Sequence, residues 1–516
     1  MPGRTEFEIG FTETEPQPVV RGGREGPLRI LVMGDFGGRA SRGLIEVGEA
    51  LADRPTPAVD IDNFDDLLFR FAPRLHLSML EPDAPSIAVE FKGIDDFHPD
   101  ALYRNLEVFR AMREMREGLL DPETSDRHAE EWRRARSEPE ALLENRPVDA
   151  SDRGEDDGAM FERLLGRKPS ERPQARKRPP REAEDLMPFI RRVVQPYVVA
   201  APSARQDHLV AAIDQATSLQ MRNLLRDPAL RALEAAWRGI DWLVRRVETG
   251  ENLHIHLLDV SKEELVADLG STSGNVRDSA LHRLLVARSS RTLEENPWSL
   301  LAGLYTFGAG HEDLALLEAL GAVASATGAS FVAAAAPSVL GCRSSLAEEP
   351  DPGAWQPLES DAERRWASLR RSAAARWLGL ALPRLLLRLP YGARTDPTEA
   401  FVFEEQPPGP EHEGYLWGNP SIACAMLVAR AFEESGWEMQ PGEFLDLEDL
   451  PAHHYQAEGE TRMTPCAEAY LTETAATTML DRGLMPIVSF RGRNEARLLR
   501  FQSLADPPET LRGPWR

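Results

Sequence analysis

The chain has 516 residues and a formal net charge of −24, with 60 Lys and Arg against 84 Asp and Glu. That surplus of acid argues against a nucleic-acid binder, whose affinity comes from Lys and Arg neutralising phosphates. Hydrophobic residues make up 42% and charged residues 28%, an ordinary globular composition, and the length allows two or three domains. Cys342, Cys424 and Cys466 stand far apart with no CxxC spacing, so a reducing cytoplasm is expected and a disulfide framework is not. The opening MPGRTEFEIG has no apolar signal core, and no run reaches the roughly 18 apolar residues of a spanning helix, so no direct membrane insertion is expected.

In residues 1 to 120, LRILVM (Leu28 to Met33) reads as a short buried strand. It runs into Gly34-Asp35-Phe36-Gly37-Gly38-Arg39. A glycine-rich turn after a strand can cradle phosphate, but this one lacks GxGxxG and the P-loop lysine, and a tight turn accounts for the same residues. Asp62-Asn63 caps a predicted helix with Phe64, Leu67, Leu68 and Phe71 on one face. RLHLSML and IAVEF alternate as strands, with Leu75, Leu77 and Met79 sharing a face in the first. Asp95, Asp96, His98 and Asp100 could ligate metal on paper; capping the next helix, which carries Leu102, Leu106, Phe109 and Met112, explains them with no cofactor.

Composition changes after Leu120. From 121 to 185 Asp, Glu, Arg, Pro and Ser dominate, apolar periodicity disappears, and a flexible linker is expected. Its basic, proline-rich half (RKPSERPQARKRPPRE) reads as a tether or as a site for an acidic partner. Met160, Phe161, Leu164 and Leu165 form an apolar island that fits either a docking peptide or a scrap packed on the fold.

From 186 onward the pattern alternates. Residues 207–223 read as helix, and Asp227-Pro228 opens another with Leu230, Leu233, Trp237, Ile240, Val244 and Val247 as an apolar stripe ending near Gly250. LHIHLLDV is a strand whose His254 and His256 fit an exposed face better than a metal site, since no third ligand follows at suitable spacing. Ser261 and Glu264 have capping-box spacing. WSLLAGLY and SFVAAAA read as further buried strands, with a helix from Glu312 to Ala324 between them. The order predicts an α/β layer, α+β overall, with a largely parallel sheet. In RLLLRLPYG a turn closes on Pro390-Tyr391-Gly392, Phe401 and Phe403 sit two apart as on a strand, and an apolar helix after Trp417-Gly418-Asn419-Pro420 ends at Gly436. His453 and His454 near Asp449 and Glu458 fit a surface loop better than a metal site, and Cys466 has no neighbouring motif of a thiolate nucleophile.

Two sets of ordered motifs carry a resemblance. GDFGGR, DIDNFDD, APRL and DDFHPD in the first region are similar to the small sheath subunit (TssB) of bacterial type VI secretion systems. LEAAWRGIDWLV, LLDVSKEEL, ALPRLLLRLPYG, FEE, YLWGN and the spacing of Asp449-Leu450-Pro451 and Ser503 resemble the large subunit (TssC). The chain departs from that pattern at Gly303-Leu304-Tyr305-Thr306-Phe307, at Gly442-Glu443-Phe444 and at Pro465-Cys466-Ala467-Glu468. The resemblance implies a phage-tail-sheath-like α/β fold: a small N-terminal αβ domain at 1–120, the linker at 121–185 and a larger C-terminal αβ domain at 186–516. It implies a fused structural protomer, cytoplasmic and docked at the inner-membrane baseplate when assembled.

Such a protomer self-associates into a helical sheath around an Hcp-like inner tube, meets baseplate components and a ClpV-type AAA+ ATPase, and needs no cofactor, metal or catalytic residue. By the same resemblance Phe7, Ile9, Phe11, Ile487, Leu498 and Phe501 are strand-exchange candidates, and Met160, Phe161, Leu164 and Leu165 are ATPase-docking candidates. Two other classes stay open: a non-contractile sheath-derived adaptor, and an α/β nucleotide- or metal-dependent enzyme resting on Gly34 to Gly38 or on His453 and His454.

Overall fold

A computed structural model describes residues 26–77, 87–120, 206–271, 275–287, 297–406 and 411–515. Phe7, Ile9, Phe11, Met79, Met160, Phe161, Leu164 and Leu165 lie outside the described residues. In chain order the elements are β1 (Leu28–Gly34), α1 (Glu49–Ala52), β2 (Ala58–Val59), α2 (Phe64–Phe71), β3 (Arg74–Leu77), β4 (Ile87–Glu90), α3 (Pro99–Asn105), α4 (Glu107–Leu120), α5 (Gln206–Leu225) and α6 (Pro228–Val244). There follow β5 (Leu253–Asp259), α7 (Lys262–Gly270), β6 (Leu300–Phe307), α8 (His311–Thr327), β7 (Ser330–Ala335), α9 (Ser360–Arg371), β8 (Leu378–Leu382), β9 (Leu385–Leu386), β10 (Trp417–Gly418) and α10 (Ser421–Ser435). The last are β11 (Asp446–Leu447), β12 (His454–Ala457), β13 (Glu460–Met463), α11 (Glu473–Asp481), β14 (Met485–Ser489) and β15 (Ala496–Leu498).

The fold is mixed α/β. The described parts of Met1–Leu67, Ala235–Leu389 and Tyr415–Arg516 form one compact unit, and those of Leu68–Glu234 and Pro390–Gly414 form a second. The first is built on a nine-stranded sheet of order β11-β15-β14-β8-β7-β6-β1-β5-β2. From β14 to β5 every pairing is parallel, and antiparallel partners close both ends. The apolar runs of β1 and β7 follow from this: a central parallel strand is covered on both faces and has no polar side to show. Leu31, Met33, Leu258, Leu301, Phe331 and Leu380 pack on one face with Leu265 of α7 and Leu317 and Leu320 of α8.

Helix starts obey local chemistry. Asp227 accepts the N–H groups of Ala229 and Leu230 ahead of α6, and the Ser261–Glu264 capping box opens α7. α10 is apolar nearly all round because it is buried nearly all round. Gly436 caps it with φ 55 and ψ −140: a positive φ, as glycine permits, but outside the left-handed helical well.

The second unit holds the β3–β4 hairpin and helices α3, α4 and α5. The single helix expected through Leu106 breaks there, because Leu106 is extended (φ −85, ψ 134) and ends α3 before α4 begins. Phe401 and Phe403 keep the alternation of a strand, with Phe403 buried and Val402 93% exposed, but find no strand partner. Their backbone is held instead by α5, where Ser218 Oγ donates to Val402 O and Arg222 Nη1 to Glu404 O.

Candidate functional site

The site with most buried chemistry lies where the turn after β1 meets the end of β5 and the start of α7. Strand β1 is in register with β5 from Leu28 opposite Leu253 to Gly34 opposite Asp259, and with β6 from Ile30 opposite Leu300 to Met33 opposite Gly303. The N–H of Val260 donates to Gly34 O at 2.8 Å and that of Ser299 to Arg29 O at 2.8 Å, which locks β1 between its neighbours. Beyond Gly34 the turn folds back on itself: Asp35 accepts the N–H groups of Arg39 and Ala40. Gly37 N–H donates to Asp259 Oδ1 at 2.9 Å, and a Cβ on Gly37 would stand 2.7 Å from Asp259 Oδ2, so any side chain there would have to push the carboxylate aside. Phe36 O accepts the indole N–H of Trp237, whose ring takes Phe36 and Phe64 edge-on at 5.4 and 5.9 Å.

Glu264 is the hub. Its side chain is 0% exposed, and the guanidinium groups of Arg39 and Arg54 on it are 12% and 7% exposed. Arg39 donates from Nε and Nη2, Arg54 from Nη1 and Nη2 at 3.1 and 3.0 Å, and the backbone N–H groups of Ser261 and Glu46 complete the shell. Glu46 closes the ring by accepting from both arginines.

Burial alone would raise the Glu264 carboxyl, but the hydrogen bonds from Arg54, Arg39 and the two backbone donors outweigh it and hold it at about 2. Asp259 goes the other way. Burial pushes it up to about 6, aided by the charge of Asp35, against the Gly37 N–H and the two arginines. Burial also raises Asp35. The two arginines tie Glu264 and Glu46 together, and the cluster acts as a clamp.

The second unit has its own joint between early and late residues. The Asp100 carboxylate accepts the N–H groups of Glu399 and Ala400 at 2.8 and 3.0 Å, and His98 Nδ1 accepts Asp100 N–H at 3.1 Å. Tyr103 stacks on Phe401 at 4.5 Å. Helices α4 and α5 run antiparallel, with Arg116 paired to Asp214 at 2.7 Å and Thr217 Oγ1 on Met112 Sδ at 3.5 Å. The acids at 95–100 thus hold backbone: Asp96 accepts the N–H groups of Lys92 and Gly93.

The other candidates resolve as follows. His254 and His256 are half-buried, not exposed, because Trp298 meets His256 edge-on at 5.1 Å and Arg29 lies over the same indole. His453 and His454 do not share a surface loop. His453 is half-buried with its Nδ1 2.7 Å from Tyr415 Oη, while His454 begins the β12–β13 hairpin. Among the described residues no group of three or more His, Cys, Asp or Glu is placed to hold a metal ion. Cys342, Cys424 and Cys466 are free and buried, and burial pushes their thiols up to about 11, 12 and 11, away from thiolate character.

Ile487 and Leu498 face each other as a registered pair of β14 and β15, inside the sheet, and Phe501 is buried just after. Tyr305, in the stretch that departs from the large-subunit pattern, donates its buried hydroxyl to Val260 O, and the next departures are met by Gly442 at φ 100 and by a buried Glu468 paired to Arg384. Sequence reasoning found the Ser261–Glu264 spacing but missed the clamp. Arg39, Glu46 and Arg54 lie too far in the chain from Asp259 and Glu264 for local spacing to link them; the one signal is the acid Asp259 at the end of strand β5.

Comparison with known proteins gives these motifs a frame. Residues 207–505 match the VipB family, described as EvpB/VC_A0108, tail sheath N-terminal domain. Residues 21–146 match a second family, described as Type VI secretion system, VipA, VC_A0107 or Hcp2. The type VI secretion system sheath protein TssC1 of Pseudomonas aeruginosa is 31% identical over 320 residues, 59% of this chain and 62% of that relative, so the chain spans less than two thirds of its length. The clamp joins residues from the two matched stretches, and the chain belongs to the VipB tail sheath family, carrying a VipA-family segment fused ahead of it.

Proposed function

We propose that this chain is a structural protomer of a type VI contractile sheath, with the small and large building blocks at 1–120 and 186–516 and a joining segment at 121–185. The observation that carries this reading is that both sheath families match one polypeptide and that β1 from the VipA-like stretch sits between β5 and β6 of the VipB-like stretch. Its work is mechanical: copies polymerise around an Hcp-like tube in an extended state and rotate into a shorter, wider one that drives the tube outward. A cytoplasmic site of assembly on a baseplate, recycling by a ClpV-type ATPase through Met160, Phe161, Leu164 and Leu165, and lattice contacts through Phe7, Ile9, Phe11, Ile487, Leu498 and Phe501 belong to the same proposal. Among the described residues no helix is long and apolar enough to cross a membrane.

Electron microscopy of the overexpressed protein tests the reading. Hollow tubules are expected. Small discrete particles at every salt and protein concentration would overturn it. If those particles bound a separate sheath protein, they would favour a sheath-derived adaptor instead.

A further inference from the structure

We propose that the N-terminal segment is exchanged between copies: residues 26–120 of one chain complete the fold of a neighbour, so that neighbours in the array are joined covalently through residues 121–205. Helices α4 and α5 are antiparallel, fixed by the Arg116–Asp214 pair and the Met112–Thr217 contact. Leu120, the last residue of α4, and Gln206, the first of α5, therefore fall at the same end of the helix pair. The gap between them is roughly 12 Å, from helix spacing and rise, which about four residues would span.

The chain uses about 85 residues there, whose greatest reach is on the order of 280 Å. Centres of neighbouring chains of this length in a close array are roughly 60 Å apart, so a neighbour's acceptor site lies well within that limit. The closed and exchanged forms make identical contacts: the same β1 register, the same clamp on Glu264, the same Asp100 bonds. Only concentration separates them. Dilute chains close on themselves, and crowded chains exchange. Because β1 is gripped on both sides by β5 and β6, exchange is decided when the sheet first closes.

The close array comes from the sheath reading, and the test separates the two ideas. Ala58 of β2 and His256 of β5 are registered partners beside the Leu257 N–H to Pro57 O bond. They form a non-hydrogen-bonded antiparallel pair with Cα atoms about 4.5 Å apart, within disulfide range. Two tagged full-length copies, one A58C and one H256C, are co-expressed, assembled and oxidised. A chain carrying both substitutions is the control, and its internal disulfide shows that the pair is in place. The expected result is a disulfide-joined band containing both tags, at a tenth or more of the control's yield.

No joined band, with the control closing fully and the two copies either in tubules or refolded together at the highest soluble concentration, overturns exchange. Absence of tubules by microscopy speaks against the sheath reading alone. A second pair guards against a control that does not close: E264A in one copy and R39A with R54A in the other. Each is expected to fail to assemble alone, because it leaves buried charge stranded, and to assemble when co-expressed, since exchange builds one native clamp and one site from which both Glu264 and its two arginines are gone. Failure to assemble together overturns the proposal as well.

Discussion

The first segment meets the second in two places built on different physics. In the sheet unit β1 gives its whole backbone to β5 and β6, and a buried carboxylate gathers two arginines. In the helical unit the contacts are mostly side chain on side chain, and the Arg116–Asp214 ion pair is half exposed. A buried charge cluster is weak evidence of net stability, since desolvation offsets most of its attraction, but breaking one member leaves the others stranded. The clamp therefore defines which strand goes where, while the helical joint adds area that can adjust. If that contrast is right, single substitutions should cost far more in the first place than in the second.

The sharpest test is E264A. It strands Arg39 and Arg54 away from water and should cost about 3–5 kcal/mol at the joint. Hydrogen exchange of the β1 and β5 amides is the readout; protection unchanged from the native chain would dissolve the contrast. Next comes pH. Asp259 has a folded pKa of about 6, above its ordinary 3.8, so it binds a proton more readily folded than unfolded, and the stability of the joint falls as pH rises through that window. Glu264, held at about 2 against 4.5, contributes stability that is present above 4.5 and lost as pH falls toward 2. The joint should be firmest near pH 4 to 5. Thermal melts from pH 4.5 to 7 should decline in the native chain and flatten in D259N, which keeps an oxygen for Gly37 N–H. A decline of equal size in the variant would remove Asp259 from the account.

Moderate loss is expected on the helical side from D100A, which leaves the N–H groups of Glu399 and Ala400 without their acceptor. About 1–3 kcal/mol follows from two unmet donors, read as faster exchange at 399 and 400 with β1 unaffected. If β1 loosened too, the two joints would be one cooperative element and the comparison would need redrawing.

What sequence reading reached and missed follows the same line. The strand at LRILVM, the α6 stripe from Leu230, the Ser261–Glu264 box and the β5–β6–β7 alternation are written in local spacing, and each forms near where it is expected, although α6 stops at Val244, short of Val247 and Gly250. The place of β1 in the sheet is not, because nothing in Leu28 to Met33 says which of several apolar strands it will pair with across more than two hundred residues. Leu106 was invisible for a related reason: apolar periodicity continues through it, and only its extended backbone ends the helix. The histidine pairs misled because burial by Trp298 and Tyr415 comes from distant chain. The clamp needed the fold, since Arg39 and Arg54 reach Glu264 only once β1 lies beside β5.

The smallest effect should come from R116A. Arg116 and Asp214 are 38% and 49% exposed, and although the 2.7 Å contact raises the Arg116 pKa, solvent screens such a pair and its side chains must be ordered to make it. Removing the guanidinium should cost less than about 1 kcal/mol, and less still in high salt, because screening has already taken most of the attraction. A melt in low and high salt reads both numbers. A loss approaching that of E264A would mean that α4 and α5 are held by charge after all. The helical joint would then share the physics of the sheet joint instead of contrasting with it.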